Sequence, residues 1–197
     1  MEATKPPVWH CNNGVLQMGI QGKKKQRTYY YSFTNLKSSG SLTLNGQKHN
    51  NLVGKTWFDR QGGTYTLTNA KCNWEWFSIR FFDNTEAMLF AFPHMDYYDG
   101  TFIKANGQYS RMNDYKIEAT KVTTAPNGFK FSNEWNLEMN GKKYKIVPKI
   151  DGMFNVFFFE LMASVFDENG KEIGYAFVEL LPGVRNKVNS AMAFRKK

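Results

Sequence analysis

Apolar and polar positions alternate along much of this chain, the repeat of a β-strand whose side chains point in turn to opposite faces. Phe154, Val156, Phe158, Glu160 and Met162 share one face of one such stretch. Tyr175, Phe177, Glu179 and Leu181 share one face of the next. The intervening Asp167-Glu168-Asn169-Gly170-Lys171 predicts a turn that makes the two antiparallel neighbours. The run 156–159 is apolar at every position, which predicts a strand covered on both faces or set against a ligand. No convincing helical repeat of apolar positions occurs, and the chain from about Trp74 onward leaves little room for a helix.

Turn chemistry supports the same reading. Asn-Gly occurs at 13–14, 45–46, 106–107, 127–128, 140–141 and 169–170, and both residues tolerate the positive φ of a two-residue hairpin turn. Strand-like residues precede it at 41–44, 135–139 and 165–168, and Asp83-Asn84 marks a further turn. The result is an all-β, antiparallel barrel or sandwich. The first residues differ, being more basic and glycine-rich. Segments 28–33, 39–44 and 51–58 supply three strands, too few for an independent domain. The expected division is therefore 1–65, the end or remnant of a first β domain, and 66–197, a complete β-barrel.

Composition narrows the function. Of 197 residues, 42% are hydrophobic and 16% aromatic, enough to bury a core and to exclude a disordered chain. Two cysteines, Cys11 and Cys72, cannot build a disulfide framework or a four-thiolate zinc site, and nothing compels them to pair. His10, His49 and His94 show no metal-ligand spacing, so neither metal nor cofactor is expected. No apolar run is long enough for a membrane-spanning helix. The opening Met1–Pro7 lacks the apolar stretch of a secretory leader; cytoplasmic residence, or export after removal of a leader, both fit. The net charge of +9 is concentrated early, with nine Lys/Arg against two acids in residues 1–60 and seventeen against fifteen thereafter. Its dense runs are 23–25 and 195–197, which do not make a phosphate-tracking face, and no nucleic-acid partner is expected.

Three features carry chemistry. Asp59 ends a strand-like stretch beside Trp57 and Phe58 and precedes Gly62-Gly63. Desolvation there would raise its pKa and suit it to general-acid work, whereas pairing with Arg60 would lower it; a turn-capping Asp is the plainer reading. Glu160 and Glu179 each lie in phase with large apolar side chains, and are pocket carboxylates or surface acids according to which face is the core. Aromatic clusters at 29–31, 74–77, 81–82 and 97–98 serve as core, as stacking platforms, or as a wall that shields a carbocation. No phosphate loop, dinucleotide fingerprint, nucleophile elbow or metal motif is present.

Tyr29-Tyr30-Tyr31-Ser32-Phe33, Gly40–Gly46, Gly54-Lys55-Thr56-Trp57-Phe58-Asp59-Arg60-Gln61 and Trp74–Ser78 occur in an order that resembles the AttH-like, carotenoid 1,2-hydratase (hydroxyneurosporene synthase) family. Gly174–Leu180 is similar to that family's late strand, and the resemblance covers roughly 25–183. It implies a lipocalin-like (calycin-type) antiparallel barrel, normally in two domains with an apolar cavity near their junction. It also implies a small apolar, isoprenoid- or polyketide-like ligand and cofactor-free hydratase or lyase chemistry, with Asp59 protonating an alkene. Tyr30, Trp57, Trp76, Glu160 and Glu179 are the accompanying substrate-binding candidates. The family commonly carries Trp where this chain has Gly62, and its loss is expected to open the pocket. Two further readings stand beside the enzyme. One is a non-catalytic lipocalin-like carrier of hydrophobic ligands; the other is a β module that assembles as a homo-oligomer or with a missing N-terminal domain.

Overall fold

Two antiparallel sheets share one apolar seam. The computed structural model describes residues 1–21, 24–64, 73–92, 97–126, 128–150, 152–155 and 158–181, and all regular elements among them are strands. The first sheet is organised around β4 (Lys24–Leu44), a 21-residue strand. β3 (Val15–Gln21), β2 (Val8–Trp9) and β1 (Glu2–Ala3) pair in succession along one edge of it, and β5 (Gln47–Thr64) runs along the other. Segments 28–33 and 39–44, expected as separate strands, are thus one strand. Register shifts between Phe33 and Leu36 and between Gly40 and Leu42 bend it without ending it.

The second sheet is a curled, lipocalin-like half-barrel. Its chain-consecutive hairpins are β6 (Trp74–Phe81), β7 (Glu86–Phe92), β8 (Tyr97–Ile103) and β9 (Tyr109–Arg111), then β10 (Lys116–Thr124), β11 (Lys130–Met139) and β12 (Lys142–Pro148). β14 (Phe158–Asp167) joins β12 to β15 (Glu172–Leu181), and β15 pairs with β6, which knits the two groups of hairpins together. Asn45-Gly46 and Asn140-Gly141 form the expected two-residue turns, with φ of +50° and +78° in the first and +50° and +71° in the second. The Asp167–Lys171 turn also makes β14 and β15 neighbours, as expected.

The stretch from Phe154 to Met162 is not one strand. β13 (Met153–Asn155) pairs back onto Phe158–Glu160, so the chain reverses between Asn155 and Phe158, with 156 and 157 outside the described residues. Strands covered on both faces do exist, but they are β6 and β7, where every residue is buried. One face of each, carrying Phe77, Ile79, Ala87 and Leu89, fills the barrel interior with Trp135, Leu161, Val165 and Val178. The opposite face, with Trp74, Trp76, Met88 and Phe90, packs against Leu16, Met18 and Tyr30 of the first sheet. Alternation therefore gives the chain two cores, one inside the barrel and one between the sheets.

Polar contacts fix the seam. Glu86, 1% exposed, accepts hydrogen bonds from Thr34 Oγ1 at 2.6 Å and Asn35 Nδ2 at 2.8 Å, and pairs with Lys5 at 3.2 Å. Arg80 donates to the Thr34 carbonyl at 2.7 Å and lies over the Trp57 ring at 5.6 Å. Burying such charges is tolerable only with partners of this geometry, so β4 and β5 are held at one place over β6 and β7.

Candidate functional site

Strand alternation builds the site. Thr28, Tyr30 and Ser32 of β4, and Trp57, Asp59 and Gln61 of β5, lie on the face of the first sheet turned toward the barrel. Ser32 stands directly opposite Asp59 and Tyr30 opposite Gln61. Tyr29 and Phe58 point the other way and are exposed. Facing this set, the outer side of the barrel contributes Trp76 from β6, Phe90 from β7 and Glu179 from β15. Tyr30, Asp59, Gln61, Trp76, Phe90 and Glu179 line an open pocket of about 170 Å³.

Asp59 is the best-connected polar group there. Its Oδ1 accepts hydrogen bonds from Tyr30 Oη at 2.8 Å, from Trp57 Nε1 at 2.7 Å, and from Ser32 Oγ. The residue is exposed along its strand, while its carboxyl is packed among these side chains. Desolvation pushes its pKa above the ordinary value of 3.8, against the three hydrogen bonds, which favour the charged form. Arg60 points to the opposite face, and Asp59 forms no ion pair with it among the described residues.

Glu179 receives the Trp74 indole N–H at 3.0 Å, and burial, with the charges of Glu160 and Asp59, raises its pKa. Glu160 stands directly opposite Glu179 on the neighbouring strand, beside the pocket rather than in it. The barrel interior takes Phe159, Leu161 and Ala163 of β14, which settles the face left open by periodicity: Glu160 and Glu179 look outward, toward the seam. Trp76 is 8% exposed, and among the described residues its Nε1 has no partner in hydrogen-bond geometry. Trp57 and Trp76 meet edge to face at 6.4 Å, and Tyr30 meets Phe90 at 6.1 Å, so aromatic surface walls the pocket.

The structure thus brings together all six residues expected from sequence: four line the pocket, Trp57 donates to Asp59, and Glu160 stands opposite Glu179 beside the pocket. It adds Ser32, Gln61, Phe90, Trp74 and His10. Ser32 lay within a noted motif without a role. His10 carried no local signal, because its partners are remote in sequence. The consequence expected of Gly62 does not follow. Position 62 faces away from Asp59, and a Cβ there meets nothing within 4 Å, so the residue leaves the pocket wall untouched. Cys11 holds a free, buried thiol, and Cys72 lies outside the described residues.

A larger cleft of about 520 Å³ lies among the hairpin turns near Phe82, Lys143 and Glu168. It contains none of these residues. Among the described residues no cluster of His, Cys, Asp and Glu could hold a metal ion, and no helix is long and apolar enough to cross a membrane.

The crystal structure of kievitone hydratase from Nectria haematococca is similar to this chain, with a TM-score of 0.68 and 19% identity over 91% of this chain and 59% of that one. Identity this low makes the likeness one of fold, and the chain spans 59% of that structure's length. No curated protein sequence matches significantly. The family model for AttH-like proteins matches residues 1–183. With the lipocalin-like barrel and the ordered motifs on β4 to β6, this match shows that the chain belongs to the AttH-like family.

Proposed function

We propose that the pocket between the sheets binds the unsaturated end of a small hydrophobic, isoprenoid- or polyketide-like molecule and that Asp59 protonates its alkene in a cofactor-independent hydration. The observation that carries this reading is a carboxyl with a raised pKa whose Oδ1 is occupied by three donors inside an aromatic-walled pocket. A pocket of about 170 Å³ is below the usual range for a whole drug-sized ligand and suits one branched end of it.

In the reaction, the Asp59 proton adds to the less substituted alkene carbon, the π pair forming the new C–H bond. The tertiary cation left behind faces the rings of Trp76, Tyr30 and Phe90, whose negative π-faces stabilise it. Water adds its oxygen to the cation and then loses a proton. The Asp59 carboxylate, or Glu179 across the pocket, accepts that proton, and its return to Asp59 restores the acid. The fold of a hydratase structure supports this chemistry. Residues 1–65 as the end of a first β domain and 66–197 as the barrel domain fit the sheet membership, since β5 ends at Thr64 and β6 begins at Trp74.

Native mass spectrometry of the purified protein, with extraction of co-purifying apolar compounds, supplies a ligand to test. Incubation of that compound, or of a panel of prenyl-bearing phenols, in ¹⁸O-labelled water should give an ¹⁸O-alcohol in the wild type and at least a hundredfold less in Asp59→Asn. Bound ligand without ¹⁸O incorporation makes the protein a carrier. Undiminished incorporation in Asp59→Asn removes Asp59 from the mechanism.

A further inference from the structure

We infer that His10 is a positioning residue for Asp59: a one-way hydrogen-bond chain from Thr101 through His10 and Ser32 confines the acid proton to Oδ2. This rests on Asp59 as the acid and adds how that acid is oriented.

His10 is wholly buried in the stretch between β2 and β3, and its ring crosses the seam. Nδ1 lies 3.1 Å from Thr101 Oγ1 on β8 of the barrel, and Nε2 lies 2.7 Å from Ser32 Oγ on β4 of the first sheet. Tyr30 packs against the ring at 4.5 Å, and Trp57 lies nearly parallel to it at 6.4 Å. Burial holds the imidazole neutral, its pKa lowered to about 3. One ring nitrogen therefore carries hydrogen and the other accepts.

Donor accounting chooses between them. Thr101 is 1% exposed, and its Oγ1 already accepts the Cys11 backbone N–H at 3.3 Å. Its single hydroxyl hydrogen needs an acceptor, and among the described residues that acceptor is His10 Nδ1. A protonated Nδ1 would leave the Thr101 hydroxyl a buried donor with nothing to bond. Nε2 therefore carries the hydrogen and donates to Ser32 Oγ, and the Ser32 hydrogen is directed to Asp59 Oδ1. The Trp57 indole is a donor only, and Tyr30 donates as well, so Oδ1 is filled by three hydrogens. No hydrogen bond reaches Oδ2 from the described residues. A protonated Asp59 then carries its proton on Oδ2, the oxygen left free for a substrate. Without the chain, the Ser32 hydroxyl could rotate and accept from a protonated Oδ1.

The first test is a long-range ¹H–¹⁵N correlation spectrum of the full chain at neutral pH without substrate, with the His10 signals assigned by their loss in His10→Gln. A ring protonated at Nε2 is expected; one protonated at Nδ1 overturns the inference. The second is ¹³C titration of the Asp59 carboxyl. Ser32→Ala removes a donor to the charged form, so the midpoint should rise. His10→Phe should move it the same way, and the double variant no further than Ser32→Ala alone. His10→Gln, whose amide N–H replaces Nε2–H, should restore much of the wild-type midpoint. Additive shifts, or no shift in His10→Phe, also overturn the inference. Glu179 and Tyr30, the titratable groups that sense Asp59, are unchanged in every variant. Should His10→Phe fail to fold, the wild-type ring protonation decides alone. Both readouts use the resting protein, so a failure of the hydration reading leaves them intact and is recognised separately by ¹⁸O incorporation.

Discussion

Glu160 and Glu179 stand directly opposite each other on β14 and β15, two carboxylates on one face of a sheet that turns toward the pocket. Their mutual repulsion is part of what raises the pKa of Glu179. Glu160→Gln should lower the Glu179 midpoint in a ¹³C titration. Relief of a like-charge cross-strand pair should also stabilise the fold by about 0.5 kcal/mol at neutral pH in urea denaturation. An unchanged Glu179 midpoint would show that the two charges do not communicate.

Trp57 and Tyr30 both donate to Asp59 Oδ1 and so favour its ionised form. Trp57→Phe and Tyr30→Phe keep the aromatic wall and delete the donor. Each should move the Asp59 midpoint upward. For turnover that needs protonated Asp59, the high-pH limb of the rate profile moves upward with it. A midpoint that falls in either variant contradicts the bonding described.

Glu75 points into the barrel interior, where Ser132 and the Trp135 indole donate to it, and burial lifts its pKa from 4.5 to about 7. The folded chain therefore keeps a proton that the unfolded chain releases between those values. Stability from this group is fully present below about pH 4.5 and is lost as pH rises toward 7, by on the order of 3 kcal/mol. Glu75→Gln offers its carbonyl to Trp135 and its amide to a rotated Ser132, and does not titrate. The difference in unfolding free energy between wild type and variant should slope across that window and flatten above it.

Neighbouring glycines should answer substitution in opposite ways. A Cβ on Gly63 would sit 2.2 Å from the Arg27 carbonyl oxygen and 2.7 Å from Thr28 Cα, both backbone atoms, whereas one on Gly62 meets nothing within 4 Å. Gly63→Ala should cost about 1–3 kcal/mol in thermal or urea unfolding. Gly62→Ala should stay within about 0.5 kcal/mol of wild type.

The all-β class was legible in the sequence because Asn-Gly turns and two-residue alternation act locally. Asn45-Gly46 and Asn140-Gly141 folded as their chemistry requires. Strand extent was less legible: bulges let β4 run through a stretch whose composition reads as a break, and the reversal after Asn155 carries no Gly or Pro signal. Asp59, Trp57 and Tyr30 were legible because they sit in phase on adjacent strands within one motif-bearing hairpin. His10 and Phe90 were not, since the seam that brings them to Asp59 depends on long-range contacts such as that between Lys5 and Glu86, 81 residues apart. The face occupied by Glu160 was undetermined because both faces of its strand are apolar, and the choice between them is made by what packs on each.

The separation of the two apolar layers bears on how such a protein changes over generations. Trp135, Leu161 and Val178 make the barrel fold, and none of them touches the pocket. Gln61, Phe90 and Glu179 shape the pocket from the barrel's outer side and from the strand laid over it. A lineage can therefore redraw the chemistry at the seam by successive replacements while the scaffold that tolerates them stays filled.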